Sequence, residues 1–165
     1  MTFSPRTWSV GEVVGADYMN TEIRDQFNSM FAAWTTYTPT WTGATTNPAI
    51  GNGSLVGRYM KVGRRVDLHI DLVCGSTTTY GSGAWTFGLP FTAAAGSGNR
   101  VLGAHAFLSA RVAGQLLTTP GAANGLLYFP ASTSVSFLSS ASATVPITWA
   151  STAQLRISGS YETAS

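Results

Sequence analysis

Arg65-Val-Asp-Leu-His-Ile-Asp-Leu-Val-Cys74 decides how the chain folds. Val66, Leu68, Ile70, Leu72 and Cys74 are apolar, and Asp67, His69 and Asp71 stand between them. A period of two puts the first set on one face of an extended strand and the second on the other. A strand that is apolar on one face only belongs to an antiparallel sheet with one side packed and one side wet. Just upstream, Gly63-Arg64 has the form of a tight hairpin turn, and residues 54–62, with Leu55, Arg58 and Tyr59, supply the partner strand.

Working outward, the pattern repeats. Ala84-Trp-Thr-Phe-Gly-Leu-Pro90 reads as a short strand stopped by its proline. Further strands are predicted near residues 100–113, 115–118, 124–130, 133–140, 145–150 and 153–161, with turns at Gly114, Pro120-Gly121, Pro130 and Pro146. The Ser/Thr-rich stretch 132–152 reads as strand, because Val135, Phe137, Val145, Ile147 and Trp149 are too regularly placed for a linker. In the last strand Leu155, Ile157, Gly159 and Tyr161 share a face. Thr35 to Gly43 alternates Thr with large residues, and Pro39 confines it to an edge or a bulge. Polar or small-residue loops fill 44–53, 75–83 and 91–99. The sum is a mainly β chain, an antiparallel sandwich over 35–165.

The N-terminal part differs. Residues 1–16 read as an extended arm, with Phe3, Pro5, Trp8, Val13 and Val14 as its anchoring residues. Ser9 and Glu12 have capping-box spacing, but Gly11 and the β-branched Val13-Val14 argue against a helix directly after them. Residues 17–34 form the one predicted helix, with Asp17 placed to cap it. Asn20, Ile23, Phe27, Met30 and Trp34 recur at spacings of three and four, as on a coiled-coil seam. Two heptads do not hold a coiled coil alone. The stripe suits either a helix lying on its own domain or a bundle about a symmetry axis.

Composition bears on that choice. Charged residues make up 10% of the chain, against about 25% in an ordinary globular protein. Five Trp, eight Phe and six Tyr accompany this low charge. Interfaces are depleted in charge and enriched in aromatics, so the composition favours a surface covered by sister subunits. The net charge of +2 is concentrated at Arg58, Lys61, Arg64 and Arg65, too local for a nucleic-acid face. The lone Cys74 reads as a core residue. No apolar run opens the chain or reaches bilayer length, so synthesis in a cytoplasm and no membrane partner are expected.

The chemistry is sparse. No Asp or Glu occurs between Asp71 and Glu162, and acid–base, metal and triad sites draw on carboxylates. Asp67, His69 and Asp71 share one outward strand face, which reads as cross-strand ion pairing with Arg58, Lys61, Arg64 and Arg65 rather than a metal site. His105 reads as partly buried among small residues. Neither a Gly-x-Ser-x-Gly elbow nor a phosphate loop is present. The expectation is a protein that is not an enzyme and has no catalytic residues, metal or cofactor.

Two stretches carry a resemblance. Pro5-Arg-Thr-Trp-Ser-Val-Gly-Glu-Val-Val-Gly-Ala-Asp-Tyr-Met-Asn-Thr-Glu-Ile-Arg-Asp-Gln-Phe27 resembles the N-terminal segment of virion proteins of phages infecting actinobacteria and their relatives. Tyr37-Thr-Pro-Thr-Trp-Thr-Gly43, Ile50-Gly-Asn-Gly-Ser-Leu-Val-Gly-Arg-Tyr59, Gly63-Arg64 and Leu89-Pro90 are similar to a β-sandwich module of phage minor tail proteins, fibres and capsid decorations. The resemblance covers roughly the first 90 residues. It implies a jelly-roll-like module, trimeric, on the particle surface, held by an N-terminal anchor to the major capsid protein or to tail proteins. A capsid decoration protein fits the short chain best. The alternative is a tail fibre or tail-tip module that meets a host cell-wall glycan through Tyr80 and Trp85.

Overall fold

The computed structural model describes residues 7–96, 98–131 and 134–164. Helical structure runs from α1 (Ala16–Met19) through a π-helical turn (Asn20–Arg24) into α2 (Asp25–Phe31). Ten strands follow: β1 (Thr35–Tyr37), β2 (Trp41–Gly43), β3 (Ser54–Val62), β4 (Arg65–Val73), β5 (Trp85–Gly88), β6 (Arg100–Phe107), β7 (Arg111–Thr118), β8 (Asn124–Ala131), β9 (Ser134–Ser140) and β10 (Gln154–Glu162). All join one antiparallel sheet in the order β1-β3-β4-β10-β6-β7-β8-β5-β2, with β9 also on β8. β8 serves β5 along Asn124–Leu126 and β9 along Tyr128–Ala131.

The two ends of that order, β1 and β2, are separated in sequence only by Thr38, Pro39 and Thr40. The sheet must therefore curl until its ends meet. The Tyr37 hydroxyl donates to the Gly88 carbonyl at 3.1 Å, and the Gly88 amide donates to the Thr40 carbonyl at 2.9 Å. Tyr37 passes over Gly57, its β3 partner, where any Cβ would overlap the phenol ring. Pro39 is buried at this junction between two short edge strands, where a missing N–H leaves no ladder position empty.

Curling turns one face inward. Leu72, Leu155 and Ala106 form a buried row across β4, β10 and β6, with Ile70, Ile157 and Ala104 beside it. Leu102, Leu116 and Leu127 continue it across β6, β7 and β8, and Phe87 and Trp41 close it across β5 and β2. Burying each Leu, Ile or Phe of these rows stabilises the fold by roughly 1.5–3 kcal/mol. The alternation that predicted β4 is seen in full: Val66, Leu68, Ile70 and Leu72 are buried, while Asp67, His69 and Asp71 face out. The chain is mainly β and sandwich-like, and the strand order does not by itself establish a jelly-roll winding.

Several boundaries differ from the sequence reading. The predicted turn at Gly114 lies inside β7, and the hairpin turns at residues 108–110 instead. Gly114 is there because Phe129 of β8 lies against its backbone and leaves no room for a side chain. Pro130 lies within β8, at a register shift, rather than ending it. The strand expected at 145–150 is a loop. Its regularly placed apolar residues plug the end of the sheet: Trp149 is buried and packs on Trp85 at a ring separation of 5.1 Å.

Candidate functional site

Of the anchoring residues read from the arm, Phe3 and Pro5 lie outside the described residues. From residue 7 the arm is exposed. Ser9 and Glu12 form a turn, with the Glu12 amide donating to the Ser9 carbonyl and the Ser9 amide to Glu12 Oε2, both at 3.1 Å. The Glu12 half of a capping box forms without a helix directly behind it, since residues 12–15 take no regular structure. Trp8, Val10, Val13 and Val14 are all exposed.

The helix starts at Ala16 with Gly15 as its cap, so Asp17 is not the cap. Asp17 sits in the first turn, where a carboxylate favours the helix dipole. The π-turn inserts one extra residue per turn. Within it Thr21 Oγ1 donates to the Asp17 carbonyl and Gln26 Nε2 to the Thr21 carbonyl. The helix ends at Phe31, with Ala32 extended. Trp34 is therefore off the helix and off the predicted seam. It lies on the imidazole of His69, ring centres 4.5 Å apart, and ties the linker to the outer face of β4. Asn20 also turns aside, accepting from Arg24 Nη1 at 2.9 Å.

What remains of the seam is Ile23, Phe27 and Met30. These three line one apolar groove of about 460 Å³, closed on the other side by Val62 and Gly63 of the β3–β4 hairpin and rimmed by Glu22 and Gln26. They stay 39%, 59% and 48% exposed. Tyr18, Met19 and Phe31 are also exposed, so the helix leaves apolar surface in water beyond the groove. No residue of the helix is buried. An apolar helix of this length has no independent stability in water and draws it from burial.

The other candidate residues are accounted for differently. Trp85 is fully buried, with its indole N–H donating to the Tyr80 carbonyl at 3.1 Å, so it is not a ligand-contact residue. Tyr80 is half-buried, and its side chain is hydrogen-bonded to Cys74. Burial pushes the Cys74 thiol up to about 11, the Tyr80 hydrogen bond opposing this. Asp67 pairs with Arg65 of its own strand at 2.8 Å, and Asp71 pairs with Arg156 of β10 at 2.7 Å. The second pairing was missed from sequence because β10 lies far along the chain, yet the register sets Arg156 directly opposite Asp71. Among the described residues no three His, Cys, Asp or Glu side chains are grouped to hold a metal ion, and no helix is long and apolar enough to cross a membrane. His105 is half-buried on β6, opposite Arg156.

Comparison with protein-family models, with curated proteins and with solved structures finds no match to this chain.

Proposed function

We propose that the chain is a non-catalytic structural subunit of a bacteriophage particle, a capsid decoration protein that assembles as a homotrimer through its helix and attaches to the major capsid protein through its arm. One observation carries the reading: Ile23, Phe27 and Met30, with the arm's Trp8, Val10, Val13 and Val14, leave apolar surface in water beside a domain whose own core is already filled. Apolar exposure of this kind, at the groove and along the arm, marks contact surfaces. Two kinds of contact are available. The groove beside the helix suits identical helices about an axis, and the extended arm suits a larger surface.

The acids and histidine that could have formed a reactive centre support a structural reading, because Asp67 and Asp71 are neutralised by Arg65 and Arg156 and His69 lies under Trp34. A tail-tip glycan site has less support, since Trp85 is withdrawn into the core.

The test is immunogold labelling of particles produced by the genome that encodes this chain. Label over the heads is expected. Label confined to tails would overturn the capsid assignment, and particles without label would overturn the virion assignment. Removing residues 2–14 is expected to abolish head labelling while the sheet stays folded.

A further inference from the structure

β9 is covered on one edge only. Tyr128, Phe129 and Pro130 of β8 pair with Ser140, Ser139 and Leu138, and among the described residues no strand lies on the other side. The strands at the two ends of the sheet order are guarded. β1 and β2 have three residues each and meet at Pro39. β9 has seven residues, Ser-Val-Ser-Phe-Leu-Ser-Ser, with no charge and no proline. Proteins that leave an edge in water blunt it with lysine, proline or a covering loop, because the free N–H and C=O groups recruit another strand. None of those devices is present in the sequence of β9. Its Phe137 is 74% exposed and Leu138 is exposed beside it.

The surroundings share this character. Between Arg111 and Arg156 the sequence contains no Asp, Glu, Lys or Arg. Two copies brought edge to edge here meet no like-charge repulsion, whereas the β3–β4 face carries Arg58, Lys61, Arg64 and Arg65. Antiparallel pairing about a two-fold axis perpendicular to the sheet places one residue opposite itself. With Phe137 on the axis, position 134 stands opposite 140, and position 136 opposite 138. The full length of the strand is then paired.

We propose that β9 is a second self-association edge, at which two copies of this chain pair antiparallel across a two-fold axis near Phe137 and join their sheets into one. This contact is separate from the helix groove and does not rest on it. A single seven-residue pairing is weak alone, and copies already held close by another contact multiply it. On a particle it would brace neighbouring assemblies sideways.

The test uses cysteine substitution in the full chain. Cys74 is buried and hydrogen-bonded to Tyr80, so it contributes little background. Phe137→Cys and Leu138→Cys are oxidised and run on non-reducing gels beside Thr119→Cys, an exposed position away from the edge. At least one edge variant is expected to give about tenfold more covalent dimer than Thr119→Cys. In the Ile23→Asp background, which removes the helix contact, that dimer is expected to persist, which separates this interface from the helix. Leu138→Lys in the otherwise native chain is expected to halve the mass of the largest species in sedimentation. No crosslinking above the Thr119→Cys control, or crosslinking only to a different particle protein, would overturn the proposal.

Discussion

Two regions of this molecule treat the same kind of side chain in opposite ways. From residue 35 onward, large apolar groups such as Trp85, Phe87, Phe129 and Leu68 are removed completely from water. Before it, Tyr18, Ile23, Phe27, Met30 and Phe31 are apolar to a similar degree and remain exposed. The difference is one of closure. A sheet whose ends are joined by three residues encloses its own apolar face, whereas the short helix set against the β3–β4 hairpin leaves Ile23, Phe27 and Met30 partly in water. Burial is thus finished within one chain in the first region and left unfinished in the second.

The largest effect expected from this contrast comes from truncation on either side of it. Trp85→Ala opens a cavity between Trp41 and Trp149 and is expected to lower stability by about 3–5 kcal/mol in chemical denaturation. Phe27→Ala removes an aromatic ring from the exposed helix, and is expected to leave the denaturation midpoint of the sheet domain unchanged while reducing oligomer mass. Equal destabilisation by the two would erase the distinction between the regions.

A smaller effect is expected at the seam where the sheet closes. Tyr37→Phe deletes the hydroxyl that donates to the Gly88 carbonyl and keeps the ring over Gly57. The loss should be about 1 kcal/mol, again by denaturation, with no change in oligomer mass.

Alkaline pH should act on the sheet domain alone. Cys74 is raised from its ordinary 9.0 to about 11 and Tyr161 from 10.0 to about 12, both chiefly by burial. In each case the folded state holds its proton where the unfolded chain has lost it. Their contribution is complete below pH 9 for the thiol and below pH 10 for the phenol, and it is lost as pH rises through about 11 and about 12. Denaturation midpoints measured from pH 8 to 12 should fall over that window. In Cys74→Ala the decline should begin about one pH unit later. A midpoint that is flat above pH 10 would contradict the burial of these groups.

Much of the sheet was legible in the sequence because its signals are local. The alternation of Val66 to Leu72, the Gly63-Arg64 turn and the spacing of Leu155, Ile157 and Tyr161 each specify a strand and its buried face without reference to anything distant. The errors fell where a distant neighbour decides. Gly114 reads as a turn until Phe129 is seen against it, and Val145 to Trp149 read as strand until Trp85 is seen to receive Trp149. At the candidate site, Ile23, Phe27 and Met30 followed from periodicity alone. Trp34 and Asn20 did not, because the helix ends at Phe31 and Arg24 draws Asn20 away. Trp85 was misassigned because an aromatic next to a polar loop looks alike in sequence whether it points out or in.

Everything in this account turns on the helix being covered by its own copies. Analytical ultracentrifugation of the intact chain beside Ile23→Asp measures that directly. Three chains in one species for the native sequence, or six where β9 joins two such trimers, and a monomer or, through β9, a dimer for Ile23→Asp, is the predicted result. A native chain that sediments as a single 17.3 kDa species at micromolar concentration, with Ile23→Asp indistinguishable from it, would contradict the account.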